Sequence, residues 1–182
     1  MRVLVVNAGS SSLKLRLLSD ADAIEHAADL KLGAGGSDDD ELLNAISGWP
    51  EPAVVGHRIV HGGTRFTGPV RIDERVREEL DELTSLAPLH QPKSLAALDA
   101  VSHALAGITA VACFETAVHT TIPPEASTYA VPLEWRERYA IRRYGFHGLS
   151  HAYAVRRSAD LVGQPADHLR IVTCHLGAGA SV

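Results

Sequence analysis

A chain of 182 residues, 46% apolar and 21% charged, predicts an ordinary folded globule with one well-built core or at most two small ones. A net charge of −5 gives no electrostatic case for nucleic acid or an anionic membrane, and no apolar run approaches a bilayer span. The apolar stretch before Asn7 is too short for a secretory leader, and Cys113 and Cys174 each sit in an apolar run. They read as reduced, buried thiols rather than a disulfide framework, so the chain is expected in the cytoplasm.

In chain order, Val3–Val6 predicts a short buried strand that runs into "NAGSSS". Beyond that turn, Leu13, Leu15 and Leu17 share one face, with Ser12, Lys14 and Arg16 on the other. "AIEHAADLKL" supplies a third strand and completes an antiparallel meander. The acidic "GAGGSDDDE" is expected as a solvated loop that caps a short helix. "AVVGHRIV" returns as a strand ending at Gly62-Gly63. Asp73 N-caps a helix carrying Val76, Leu80, Leu83 and Ala87 on one face, and Pro92 opens a second with Leu95, Leu98, Val101 and Leu105. Ile108–Phe114 is strand-like, a helix runs from about Ser150 to Gly163, and "RIVTCHL" is expected as a last strand. The fold class is α/β: a mixed sheet with an N-terminal antiparallel meander and helices packed on it.

The opening "VVNAGSSSLK" and closing "TCHLGAGASV" share a plan of apolar strand, polar residue and small-residue turn. Such turns bring backbone N–H groups close to an anion, and hydroxyls add donors, so the pair reads as a duplicated phosphate grip. Lys14 lies within reach of the first turn; a tight hairpin with a solvated lysine fits that stretch equally well. The Walker A pattern is absent.

"GHRIVHGG" sets Arg58 in a strand, as a surface arginine or as a clamp for a carboxylate or phosphate. Its flanking His57 and His61 are four apart on a strand, roughly 13 Å, too far to share a metal. "CFETAVHTTIPP" puts Glu115 at the C-terminal end of a strand, where α/β folds gather ligand-binding groups; an exposed glutamate is the plainer alternative. "IRRYGFHGLSH" collects Arg142, Arg143, Phe146, His147 and His151 around two glycines. His147 and His151 have the spacing of a helical metal pair, but Gly148 breaks the helix between them and the pattern for zinc is incomplete. A histidine in a glycine-framed turn suits hydrogen bonding to a phosphoryl group.

In order, "NAGSSSLK", "GHRIVHGG", "LAPLHQP", "ETAVHTTIPP", "YGFHGLSH" and "HLGAGAS" resemble the motifs of the acetate kinase (acetokinase) family, and they span nearly the whole chain. The resemblance implies an actin-like ATPase (ribonuclease H-like) fold, shared with sugar kinases and heat-shock chaperones, whose serine-rich hairpin binds phosphate. It implies reversible phosphoryl transfer from MgATP to acetate, giving ADP and acetyl phosphate. Carried over by motif, Asn7 and Glu115 lie at Mg²⁺. Ser10, Ser12 and Lys14, with His175, Leu176, Gly177, Ala178 and Gly179 in a second turn, bind ATP or ADP. Arg58, Glu115 and His147 are catalytic, and Arg58 also holds the substrate carboxylate. Val60, Leu89 and Phe146 form the pocket for its methyl group.

The sequence departs from the family pattern in having Glu115 in place of aspartate and Ala178 in place of the asparagine of "HLGNG". The family also has a second domain of comparable size, with most of the dimer contacts. Residues 1–170 are accordingly expected to form the acetate-side domain of an N-terminal fragment, inactive alone, and 171–182 to begin a truncated second nucleotide-binding domain. The partners implied are a small carboxylate and, at full length, a second copy as a homodimer, with no nucleic acid and no membrane. A propionate or butyrate kinase is the near alternative, and a non-catalytic nucleotide-binding relic the distant one.

Overall fold

Strict alternation of leucine with polar residues in "SLKLRLL" builds a half-buried strand, and its neighbours follow from it. A computed structural model of the chain describes residues 1–9, 12–31, 39–177 and 179–182. Strands β1 (Val3–Ala8), β2 (Ser12–Leu18) and β3 (Ile24–Lys31) form the expected antiparallel meander, with Asn7 opposite Lys14. Leu13, Leu15 and Leu17 are fully buried on one face. Residues 33–38 of the expected acidic loop lie outside the described residues, and its last three, Asp39, Asp40 and Glu41, open helix α1 (Asp39–Ile46).

Strand β4 (Val54–Ile59) lies parallel to β1, and β6 (Thr109–Phe114) lies parallel to β4. A two-residue strand β5 (Val70–Arg71), which the sequence pattern did not signal, pairs antiparallel with β6 at the edge. The six-stranded sheet therefore reads β3-β2-β1-β4-β6-β5, mixed as expected.

Helices α2 (Glu74–Glu82) and α3 (Gln91–Ala104) pack on the apolar face. Asp73 caps α2 by accepting the Val76 N–H at 2.8 Å. One half of the core joins Leu4, Val6, Leu15 and Leu17 to Leu42 of α1 and Val101 of α3. The other joins Ile59 and Phe114 to Val76, Leu80, Leu95 and Leu98, with Phe66 stacked on Phe114 at 5.1 Å. Burying each such side chain contributes about 1.5–3 kcal/mol, so this face fixes the sheet.

Beyond the sheet come α4 (Pro124–Ser127), α5 (Leu133–Tyr139) and the longer α6 (Gly148–Val162), closed by Gly163 in the left-handed conformation. Helix α6 begins at Gly148, two residues before the expected start. The expected last strand over "RIVTCHL" is corrected. Only His175–Leu176 is extended and paired (β7), and its partner is β8 (Ala180–Ser181), not the main sheet. Arg170–Cys174 lacks a pairing strand, and Cys174 is consequently exposed rather than buried, whereas Cys113 on β6 is half-buried.

Candidate functional site

Because β1, β4 and β6 are parallel, their C-terminal ends open at the same edge of the sheet. Alternation along each strand alone turns Asn7 and Arg58 to the face opposite the helices, at the same level. Glu115 directly follows β6, and its backbone N–H donates to the Ile59 carbonyl at 3.0 Å. This extends the ladder by one residue and draws the glutamate inward.

Arg58 Nε donates to Glu115 Oε1 at 2.6 Å, and Nη1 donates to Asn7 Oδ1 at 3.2 Å and to the Ala8 carbonyl at 3.3 Å. Nη2 makes no hydrogen bond among the described residues and is the donor left for a ligand. Glu115 is only 4% exposed, which removes the plainer reading of a solvated strand-end glutamate. Its second oxygen, Oε2, accepts the backbone N–H of His147 at 2.9 Å. One buried carboxylate thus ties Arg58 of β4 to the turn before α6.

His147 adopts φ 55°, a left-handed conformation uncommon outside glycine. Its bond to Glu115 helps hold it there. The next residue is forced to be glycine by close approach: a Cβ at Gly148 would overlap the Glu115 carbonyl oxygen. The His119 ring packs beneath Gly145, which has φ +77°, and its Nε2 pairs with the Phe146 carbonyl at 3.0 Å. Glycines on either side of His147 therefore let the turn sit directly on the segment after β6.

The His147 ring stacks on His175 of β7, with centroids 4.0 Å apart. Its Nδ1 lies 2.8 Å from Ser181 Oγ. Burial, then the neighbouring His175, pushes the His147 pKa below its ordinary value, with Glu115 opposing. His151 stands on the first turn of α6, while His147 is just outside the helix, so the two do not form the i, i+4 ligand pair their spacing suggested. Among the described residues no group of three or more His, Cys, Asp or Glu gathers to hold a metal.

Lys14 stands exposed directly opposite Asn7, on the polar face, and Ser12 begins β2, its carbonyl accepting the Gly9 N–H at 2.8 Å. Ser10 and Ala178, both expected at nucleotide, lie outside the described residues. His175, Leu176, Gly177 and Gly179 form the β7–β8 hairpin, closed by Gly177 N–H on the Gly179 carbonyl at 2.9 Å. This hairpin, with His175, is brought against His147.

The expected methyl pocket is the part the structure does not assemble into an enclosure. Val60 is buried at 5%, but Leu89 is 78% exposed and Phe146 45% exposed. Two of the three walls stand in solvent, because Leu89 sits in an open turn ahead of α3. His61, buried beside them, packs edge-on to Tyr144 at 4.5 Å and to Phe146 at 6.0 Å. An open groove of about 630 Å³ lies elsewhere, between Val118, His119 and the Val155 and Ala159 side of α6.

Sequence reading missed Thr173 and Ser181, which hold His151 and His147. Both are small hydroxyl residues in a chain rich in them, and nothing local distinguishes them. His151 was singled out only for its spacing.

The sequence profile of the Acetokinase family matches residues 39–182. The acetate kinase of Thermotoga maritima is 40% identical over the whole of this chain, which covers 53% of that protein; that of Methanosarcina acetivorans is 38% identical with the same coverage. Among solved structures, the acetate kinase of Porphyromonas gingivalis superposes with a TM-score of 0.81 at 31% identity, over 98% of this chain and 53% of that one. A propionate kinase from Francisella tularensis superposes with a TM-score of 0.76 at 29% identity, over 90% and 49%. The sheet is that of the actin-like ATPase fold as acetate and propionate kinases carry it. The chain belongs to the Acetokinase family and spans about half the length of the curated relatives it matches.

Proposed function

We propose that this chain supplies the carboxylate-binding half of an acetate kinase, an enzyme that transfers the γ-phosphoryl group of ATP to acetate. The observation that carries the reading is Glu115, buried, with one oxygen on Arg58 and the other on the His147 backbone. In this reading residues 1–170 are the acetate-side domain and the β7–β8 hairpin opens a nucleotide-binding domain. The complete protein acts as a homodimer in the cytoplasm.

Transfer forms a bond between an acetate oxygen and the γ-phosphorus and breaks the bond from that phosphorus to the bridging oxygen of ADP. Acetate is already ionised at pH 7, so no base has to activate it. What the site must do is bring two anions together and neutralise the transferred group. Arg58 Nη2 offers a charged donor, held in place because Nε and Nη1 are already tied down. His147 offers its second ring nitrogen as a neutral donor. In this reading Lys14 and Ser12 serve the nucleotide phosphates.

Asn7 Oδ1 and the Glu115 carboxylate are hard oxygen donors at the ends of β1 and β6, the two strands that flank β4, a set that fits Mg²⁺ bound with water and phosphate oxygens. When bound there, Mg²⁺ would supply charge neutralisation at the phosphates. Glu115, already paired with Arg58, is an organiser rather than a proton acceptor.

The test is ATP-dependent formation of acyl phosphate from acetate, trapped as the hydroxamate, in the 182-residue chain and in the chain extended to the length of its relatives. Activity in the extended protein supports the reading. Inactivity there, with nucleotide still bound, would replace it with a non-catalytic nucleotide-binding role. The open Leu89 and Phe146 walls favour a second reading on chain length, a propionate kinase, and the same assay with propionate separates the two.

A further inference from the structure

Ser181 Oγ stands 2.8 Å from His147 Nδ1 and also 2.8 Å from His151 Nε2. On its far side, His151 Nδ1 stands 2.6 Å from Thr173 Oγ1. A hydroxyl has one proton to give and can accept two, so it cannot donate to both imidazoles, and when its own proton is spent between the two rings it donates to one and accepts from the other. The four groups therefore form a directional chain in which the protonation of one ring dictates that of the next.

Two directions spend the Ser181 proton within the relay. In one, Thr173 donates to His151 Nδ1, His151 Nε2–H donates to Ser181, and Ser181 donates to His147 Nδ1. His147 then carries its proton on Nε2, the nitrogen outside the chain. In the other, every bond reverses and His147 Nε2 is a bare lone pair. The reversed form puts both rings in the Nδ1–H tautomer, the less favoured form of a free imidazole. Only a neutral ring has a tautomer to fix.

We propose that His151 is a positioning residue: acting through Ser181, it fixes His147 as the Nε2–H tautomer and so presents a hydrogen-bond donor to the phosphoryl group. The catalytic half of this statement rests on the proposed kinase reading; the tautomer half does not. Holding an imidazole by its far nitrogen is a general way to set which nitrogen carries the proton. Ser181 belongs to β8 and Thr173 to the segment before β7, so the chain also couples the turn before α6 to the β7–β8 hairpin. His175 stacks on the other side of His147, with its Nδ1 3.0 Å from Ser150 Oγ, and takes no part in the relay.

The first experiment is long-range ¹H–¹⁵N correlation of the histidine rings in the ¹⁵N-labelled 182-residue chain above pH 7. His147 should show a bare Nδ1 and a protonated Nε2. His151→Gln keeps an amide donor toward Ser181 and should preserve that pattern, while His151→Phe should give a mixture of both tautomers. Should His151→Phe fail to fold, Ser181→Ala removes one hydroxyl at the surface and should give the same mixture. A protonated Nδ1 on His147 in the unaltered chain overturns the proposal, as does an unchanged tautomer in both variants. In the extended protein, His151→Phe should lower kcat about tenfold or more with the KM for ATP little changed, and His151→Gln should restore it. A complete protein that forms no acyl phosphate defeats the kinase reading alone, because the nitrogen spectra decide the tautomer without turnover.

Discussion

Arg58 Nε and Glu115 Oε1 are 2.6 Å apart across the ends of two parallel strands, and the carboxylate is almost wholly shielded from water. Because the glutamate's other oxygen holds His147, the ion pair serves as the joint between the sheet and α6. Loss of either partner should therefore be felt in stability as well as in the site.

Arg58→Ala leaves a buried carboxylate without its cation. Breaking a fully buried pair costs about 3–5 kcal/mol, and here the arginine side chain is 23% exposed, so about 2–3 kcal/mol is expected. Urea denaturation of the two proteins measures it, and an unchanged midpoint would remove the pair from the stability of the fold. In the extended protein the same change should cut kcat/KM for acetate by about a hundredfold or more. Arg58→Lys should recover little, because an ammonium cannot hold Glu115 and Asn7 while keeping a further planar donor free.

His57 alternates with Arg58 on β4 and faces the core, 1% exposed, with Nε2 lacking a partner. Desolvation lowers its pKa to about 4, with Asp99 opposing. The unfolded chain binds the proton near pH 6.5 and the folded chain only near pH 4, so stability is fully present above pH 6.5. It should fall by about 3 kcal/mol as pH drops to 4. Denaturation between those two pH values should show that slope in the native chain and a much flatter one in His57→Leu. Equal slopes would mean that other groups carry the acid sensitivity.

Gly148→Ala places a methyl group on the Glu115 carbonyl and against Val118 Cβ, at 2.8 Å. Backbone has to shift on both sides, so a loss of about 3 kcal/mol is expected. Gly163→Ala provides the contrast: φ is +69° but the space is open, so only the conformational cost of about 1 kcal/mol applies. Thermal unfolding of the two variants checks the order. Similar losses would show that crowding at Gly148 is relieved by small movements.

The local elements were written plainly in the chain. Alternation in "SLKLRLL", the Asp73 cap and the Pro92 helix start each depend on neighbours within a few residues, and each lies in the structure where the pattern put it. Ordered motifs likewise named Asn7, Arg58, Glu115 and His147 as candidates for one site. Strand "RIVTCHL" failed because apolar character gives a tendency to extend but not a partner to pair with, and the six-stranded sheet forms without it.

What only the tertiary structure decided is how the candidates meet. Parallel pairing of β1, β4 and β6 brings residues 7, 58 and 115 to one edge, a relation across more than a hundred positions that no local pattern encodes. The same is true of Ser181, an unremarked hydroxyl that acquires meaning from the two imidazoles folded onto it. Periodicity and turn chemistry act over a few bonds, so sequence determines them directly. Which nitrogen faces which oxygen depends on the packing of the whole chain, and that is settled only when the chain is folded.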